Sequence, residues 1–104
     1  MVVFRLAETL PEPQRSQITR DLARATAEPL NEDDSVIRFE IEGYQRSSLI
    51  GRTLSVDATA TDSDGAHLNI ILFTDGSGHL FELEIVRFEN GGVIAPDWKT
   101  LRFY

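Results

Sequence analysis

Two Asp-x-x-Gly turns, Asp62-Ser63-Asp64-Gly65 and Asp75-Gly76-Ser77-Gly78, separate three stretches in which apolar residues recur at every second position. Leu54, Val56, Ala58 and Ala60 alternate with Ser55, Asp57 and Thr59; Leu68, Ile70 and Leu72 follow the first turn, and Phe81, Leu83 and Ile85 follow the second. A period of two puts one set of side chains on one face of a strand. The first turn reads as a three-residue hairpin loop with Gly65 left-handed, pairing Val56 with Leu72, Ala58 with Ile70 and Ala60 with Leu68. The second reads as a two-residue loop at Gly76-Ser77, pairing Leu72 with Phe81, Ile70 with Leu83 and Leu68 with Ile85. Both registers leave the same apolar face inward. A slip of one residue turns Glu82 and Glu84 into the core, at prohibitive cost.

Upstream the period is helical. Ile18, Leu22 and Ala25 mark one face of a helix running from Glu12 to about Ala27, with Arg15, Arg20 and Arg24 toward solvent. Pro29 stops it, because the residue before a proline avoids helical backbone. Val2 to Leu6 reads as a short strand or an extended arm. Ile37, Phe39 and Ile41 then alternate with Arg38, Glu40 and Glu42 as a half-buried strand closed by Gly43, and residues 44–53 read as a turn or irregular strand. Val93-Ile94 and Leu101 to Tyr104 supply short edge strands on either side of Pro96-Asp97-Trp98. The expected fold class is α+β: one domain, residues 1–104, with an N-terminal helix packed on an antiparallel β-meander of four to six strands.

The residue inventory narrows the chemistry. With no cysteine, the chain has no disulfide, thiolate zinc site or cysteine nucleophile, which favours the cytoplasm. No apolar run reaches membrane-spanning length, and no secretory leader is evident at the N-terminus. The net charge of −7 is unevenly placed. Residues 1–30 carry four basic and four acidic side chains, whereas residues 31–104 carry six basic and thirteen acidic ones. An acidic surface repels nucleic acid and anionic lipid and suits a basic protein.

None of the candidate chemical motifs is complete. Asp62-Ser63-Asp64-Gly65 lacks the spacing of a calcium loop, because its glycine comes fourth and its twelfth position is Phe73. Asp75-Gly76-Ser77-Gly78 lacks the lysine and following helix of a phosphate-binding loop. Glu82 and Glu84 fall on one strand face, about 7 Å apart, as exposed alternation requires without any glycosidase-type cleft. His67 and His79 have no metal-ligand spacing and read as surface or sheet-edge residues. No catalytic set, metal site or cofactor is expected. Asp62, Asp64, Asp75, Glu82 and Glu84 are the expected partner-binding carboxylates, and Trp98 reads as an apolar anchor if exposed and equally as a lid on the core.

Residues 62–96, ending in Asp75-Gly76-Ser77-Gly78-His79-Leu80-Phe81-Glu82-Leu83-Glu84-Ile85, resemble small bacterial proteins of unassigned function built from a helix and a β-meander. Small acidic α+β proteins of this kind resemble immunity proteins, which bind and block a toxin. The resemblance implies a protein-binding inhibitor and transfers no individual residue. The alternatives are a phage anti-defence protein, a small ligand-binding or enzymatic domain using a sheet pocket, and a homodimer formed through an edge strand.

Overall fold

The computed structural model describes residues 2–46 and 51–103. Period-two alternation yields six strands: β1 (Ala25–Pro29), β2 (Val36–Ile41), β3 (Arg52–Asp62), β4 (His67–Asp75), β5 (Leu80–Arg87) and β6 (Pro96–Phe103). They form one antiparallel sheet in the order β1-β2-β5-β4-β3-β6. Helices α1 (Val2–Ala7) and α2 (Gln14–Ala23) lie on one face of it. Val3, Leu6, Ala7 and Ile18 of the helices share a single core with Val56, Ala58, Ala60, Leu68, Ile70, Leu72, Leu83 and Ile85 of the central hairpins. The fold class is therefore α+β. No helix among the described residues is long and apolar enough to cross a membrane.

The first hairpin has the expected register, with Val56 opposite Leu72, Ala58 opposite Ile70 and Ala60 opposite Leu68. The second differs by two residues: Leu72 faces Leu83, and Ile70 faces Ile85. Asp75 N–H donates to His79 C=O, and Gly78 N–H to Asp75 C=O, so this loop also closes over three residues. A bulge between Phe73 and Thr74 adds the second residue of the offset. A two-residue shift preserves the face, and Leu83 and Ile85 remain buried.

The bulges also decide what the opposite face carries. In β5 the bulge keeps Leu80 in the core while Glu82, two residues on, lies on the other face opposite Arg38 of β2. In β3 a shift between Leu54 and Val56 sets Leu54 opposite Phe73, so Leu54 is 52% exposed instead of joining the apolar row. This outer face bears a cross-strand row of Leu54, Phe73, Glu82, Arg38 and Glu28.

Other expected boundaries move. Val2 to Leu6 is helical, because Val3, Leu6 and Ala7 recur at three and four residues and are the side chains buried, with Phe4 and Arg5 outward. Helix α2 ends at Ala23, and Ala25–Pro29 becomes an edge strand on β2. Strand pairing overrides the modest helical preference of this segment, and Pro29 is tolerated where a strand has a free edge. Pro96-Asp97-Trp98 lies inside β6 and not in a loop between two strands, while Val93-Ile94 is outside any strand. Of the segment 44–53, residues 52 and 53 belong to β3, and 47–50 lie outside the described residues.

Truncation should separate the two faces. Leu83→Ala should lower unfolding free energy by about 2–5 kcal/mol, whereas Leu54→Ala should stay within about 0.5 kcal/mol. Urea denaturation of both variants measures the difference, and equal losses would show that the bulge in β3 is misplaced.

Candidate functional site

Each Asp-x-x-Gly turn places its first aspartate inside the molecule. Gly65 (φ +89°) and Gly78 (φ +86°) supply the left-handed residue that closes each loop. The backbone then folds over the Asp62 and Asp75 carboxylates, which are only 2% and 5% exposed as residues. Asp62 accepts the amides of Ser63, Ile94 and Ala95 at 2.8–2.9 Å and the Arg87 guanidinium at 2.7 Å. It thereby ties the segment entering β6 to the β3–β4 turn. Arg87 also forks onto both oxygens of Asp64, at 3.0 and 2.6 Å.

These contacts set the ionisation of both groups. Burial by itself would raise the pKa of Asp62, but the Ile94, Ala95 and Ser63 amides and Arg87 outweigh it and hold it below the usual value. Arg87, followed by the Ala66 amide, lowers Asp64 from 3.8 to about 2.

Asp75 repeats the arrangement at the other turn. It accepts the amides of Ser77 and His79 at 2.9 and 3.0 Å, the Tyr44 hydroxyl at 2.6 Å and Arg46 at 2.8 Å. Burial again opposes ionisation, and the Tyr44, His79, Arg46 and Ser77 donors overcome it, so the carboxyl is held low. Burial, then the Asp75 charge, pushes the Tyr44 hydroxyl up. Pairing between β2 and β5 runs only from Val36 to Arg38, and Arg46 fills the gap beyond. Its guanidinium donates to the carbonyls of Phe39 and Leu80 and lies 4.7 Å from the Phe81 ring.

Helix α2 reaches the same turn through Asp21. This buried carboxylate accepts Leu80 N–H at 2.9 Å and Gln17 Nε2–H at 3.0 Å. His79 Nδ1 sits 3.1 Å from each of its oxygens. A carboxylate can only accept from the ring, so Nδ1 carries a proton and Nε2 is the nitrogen left without a hydrogen-bond partner among the described residues. The imidazole stacks on Tyr44 with centroids 3.9 Å apart. Together they line an open concavity of about 420 Å³ with Gln17, Arg20, Arg24 and Ile41. His79 is thus a fixed, quarter-exposed side chain and not a loose surface residue.

The expected partner-binding carboxylates are mostly engaged within the fold. Asp62 and Asp75 are buried as described. Glu82 is on the outer face as expected, yet it is 4% exposed, because Arg38 and Arg52 close over it at 2.9 and 3.1 Å. Arg52 also binds Glu84 at 2.7 Å and lies 4.1 Å from the Phe73 ring. Glu84 is partly exposed, and Asp64 is exposed beside Arg87. Trp98 packs partly buried against the core, and its carbonyl accepts from Arg5 at 2.7 Å. These residues do not converge on one surface.

Several of the carboxylates without an ion pair among the described residues gather elsewhere, while Glu8, Asp57, Glu89 and Asp97 are unpaired at other places. Glu28, Glu32, Asp34, Glu40 and Glu42 are all exposed on the β1–β2 hairpin or its loop, with no ion pair among the described residues. Among the described residues, no further strand pairs with the outer edge of β1. Leu30 N–H bonds to Val36 C=O and Glu42 N–H to Arg24 C=O, which fixes the alternation of the ladder. Thr26 and Glu28 therefore bond inward, while Ala25 and Ala27 direct N–H and C=O outward, joined by the Pro29 carbonyl. Sequence reasoning passed over this edge because it assigned Ala25 to Ala27 to the helix. One signal for Asp21 was present: it adjoins Leu22 on the stripe begun by Ile18, where an acid needs a buried partner.

A protein-family model described as a domain of unknown function (DUF6984) matches residues 4–94. No curated protein and no solved structure matches the chain.

The lowered carboxylates give stability a definite pH dependence. A carboxyl whose folded pKa is depressed stabilises the fold above its unfolded value, and that contribution is lost as pH falls through the folded value. Urea midpoints should therefore hold steady down to the ordinary aspartate value of 3.8 and fall toward about 2, where Asp64 titrates. Asp64→Asn should flatten the lower part of that decline. Asp75→Ala, which strands Arg46, should cost about 3–5 kcal/mol at neutral pH. Midpoints independent of pH across this window would contradict the turn networks.

Proposed function

This chain belongs to the family of domains of unknown function described as DUF6984, and we propose that it acts by binding and neutralising another protein, not by catalysis. The observation that carries this reading is the open β1 edge flanked by carboxylates that no internal cation neutralises. Five of the chain's arginines, Arg15, Arg38, Arg46, Arg52 and Arg87, are spent on internal ion pairs, none of them with the β1–β2 acids.

An extended segment of a partner can add as a strand to the free edge, where Ala25 and Ala27 present both donor and acceptor. Glu28 and Glu40, on the outer face, and Glu32, Asp34 and Glu42, at the ends of the hairpin, favour lysine and arginine on that segment. Such charges raise the association rate and disfavour acidic competitors. An immunity-type neutraliser of a basic bacterial toxin is the form of this reading we adopt, in keeping with the acidic composition and the resemblance of residues 62–96. The contact surface is placed on the edge hairpin instead of the turn aspartates, because burying an aspartate among its own donors leaves no charge to offer.

The test is association kinetics with the partner captured from the native host. Glu28→Lys with Glu40→Lys should reduce the on-rate about tenfold or more at low salt, and the difference should shrink as salt rises. Ala27→Pro removes an outward N–H that serves no internal bond, so it should weaken binding while leaving the urea midpoint nearly unchanged. Unaltered on-rate and salt dependence in the charge-reversed protein would overturn the assignment of this edge.

A further inference from the structure

The cations without ion pairs also sort by place. Among the described residues, Arg20, Arg24, Lys99 and Arg102 have no carboxylate partner, while Arg5 is taken by the Trp98 carbonyl. In a chain of net charge −7, an arginine left unpaired where carboxylates abound needs a reason. Arg20 and Arg24, four residues apart on consecutive turns at the end of α2, both line the concavity beside His79. Among the described residues, Arg20 donates to the Gln17 side chain alone, at 3.3 Å.

Arg24 passes close to the chain at Gly43. Its guanidinium lies against Gly43, so closely that a Cβ there would stand 2.6 Å from Nη2. Gly43 is also left-handed, at φ +79°, which an L side chain rarely adopts. The glycine that ends β2 therefore serves two purposes: it turns the chain, and it leaves room for the guanidinium at the rim. Tyr44, next in sequence, supports the His79 ring from below. The Asp21 carboxylate also lines this concavity, and its oxygens are engaged by Leu80, Gln17 and His79.

We propose that this concavity is a binding site for a small molecule bearing a phosphate or carboxylate group, held by the Arg20 and Arg24 guanidinium groups beside the His79 ring. Planar guanidinium forks match both oxyanions. The volume of about 420 Å³ suits a compact organic anion and not a polymer. The apolar wall of Ile41 and Ala23 accommodates the non-ionic part of such a ligand. This site adjoins the Ala25 end of the β1 edge, and its test, a small-molecule titration, reads independently of partner capture.

A ¹⁵N chemical-shift titration of the full chain at low salt tests it, with phenyl phosphate, benzoate and inorganic phosphate as separate probes. Saturable shifts should centre on Arg24, Gly43, Tyr44 and His79. The phosphate and benzoate arms distinguish the two oxyanions by relative affinity. Arg20→Gln with Arg24→Gln, both exposed and free of internal ion pairs, should weaken binding about tenfold or more, equivalent to roughly 1.4 kcal/mol. Lys99→Gln with Arg102→Gln, at the other end of the sheet, should leave it unchanged. The proposal is overturned if no probe gives saturable shifts at these residues, if the shifts centre on Lys99 and Arg102, or if the double arginine variant binds as tightly as the parent.

Discussion

Carboxylates buried under turns organise this fold. A β-turn brings its own amides toward the side chain of its first residue, and an aspartate there can accept them. Asp62 and Asp75 do so in two hairpins of the same design, and each then has acceptor capacity to spare. Asp62 uses it on the chain entering β6 and on Arg87. Asp75 uses it on Tyr44 and Arg46, which belong to the segment between β2 and β3. Each turn therefore anchors a distant stretch of chain that lies outside the strands. A buried charge is costly alone, and these are stable because every one meets several donors.

Asp21 extends the principle from sheet to helix. Its contact with Leu80 N–H and His79 joins α2 to the second turn through polar bonds. The sheet splits beside that point, and Arg46 spans the split by donating to a carbonyl on each side. Tyr44 and Phe81 pack around the guanidinium, limiting the water that would compete for those bonds. The same polar junction leaves a concavity at the surface.

Net charge alone misdescribes the surface. Asp62, Asp75, Glu82 and Asp21 count toward −7 yet are buried. Internal pairing with Arg38, Arg46, Arg52 and Arg87 consumes cations and anions together, leaving a group of acids on the β1–β2 hairpin, with Glu8, Glu89 and Asp97 elsewhere, and two pairs of cations, at the end of α2 and along β6. Which residues remain free depends on strand order: β2 lies beside β5 and not beside β3, so Arg38 reaches Glu82 and is withdrawn from its neighbours Glu28 and Glu40.

The hairpin from β3 to β4, its register and its buried face were legible from residues 54–72, because period-two alternation and a three-residue turn are local properties. The α+β class followed from the change in period between Ile18 and Ile37. Tertiary structure decided the rest. The bulges at Ser55 and Phe81 insert single residues whose only trace is in how strands meet, and they move Leu54 outward and keep Leu80 inside. Ala25 to Pro29 became a strand because β2 offered an edge, a preference the segment does not encode alone. Above all, the sequence marks an aspartate in a turn but not whether a distant arginine or amide will cover it. Arg46 lies 29 residues from Asp75, and Asp21 lies 58 from His79. Burial of a charge is set by partners that only chain folding brings within hydrogen-bonding distance, so the identity of the free surface groups, and with it the candidate sites, belongs to the three-dimensional arrangement.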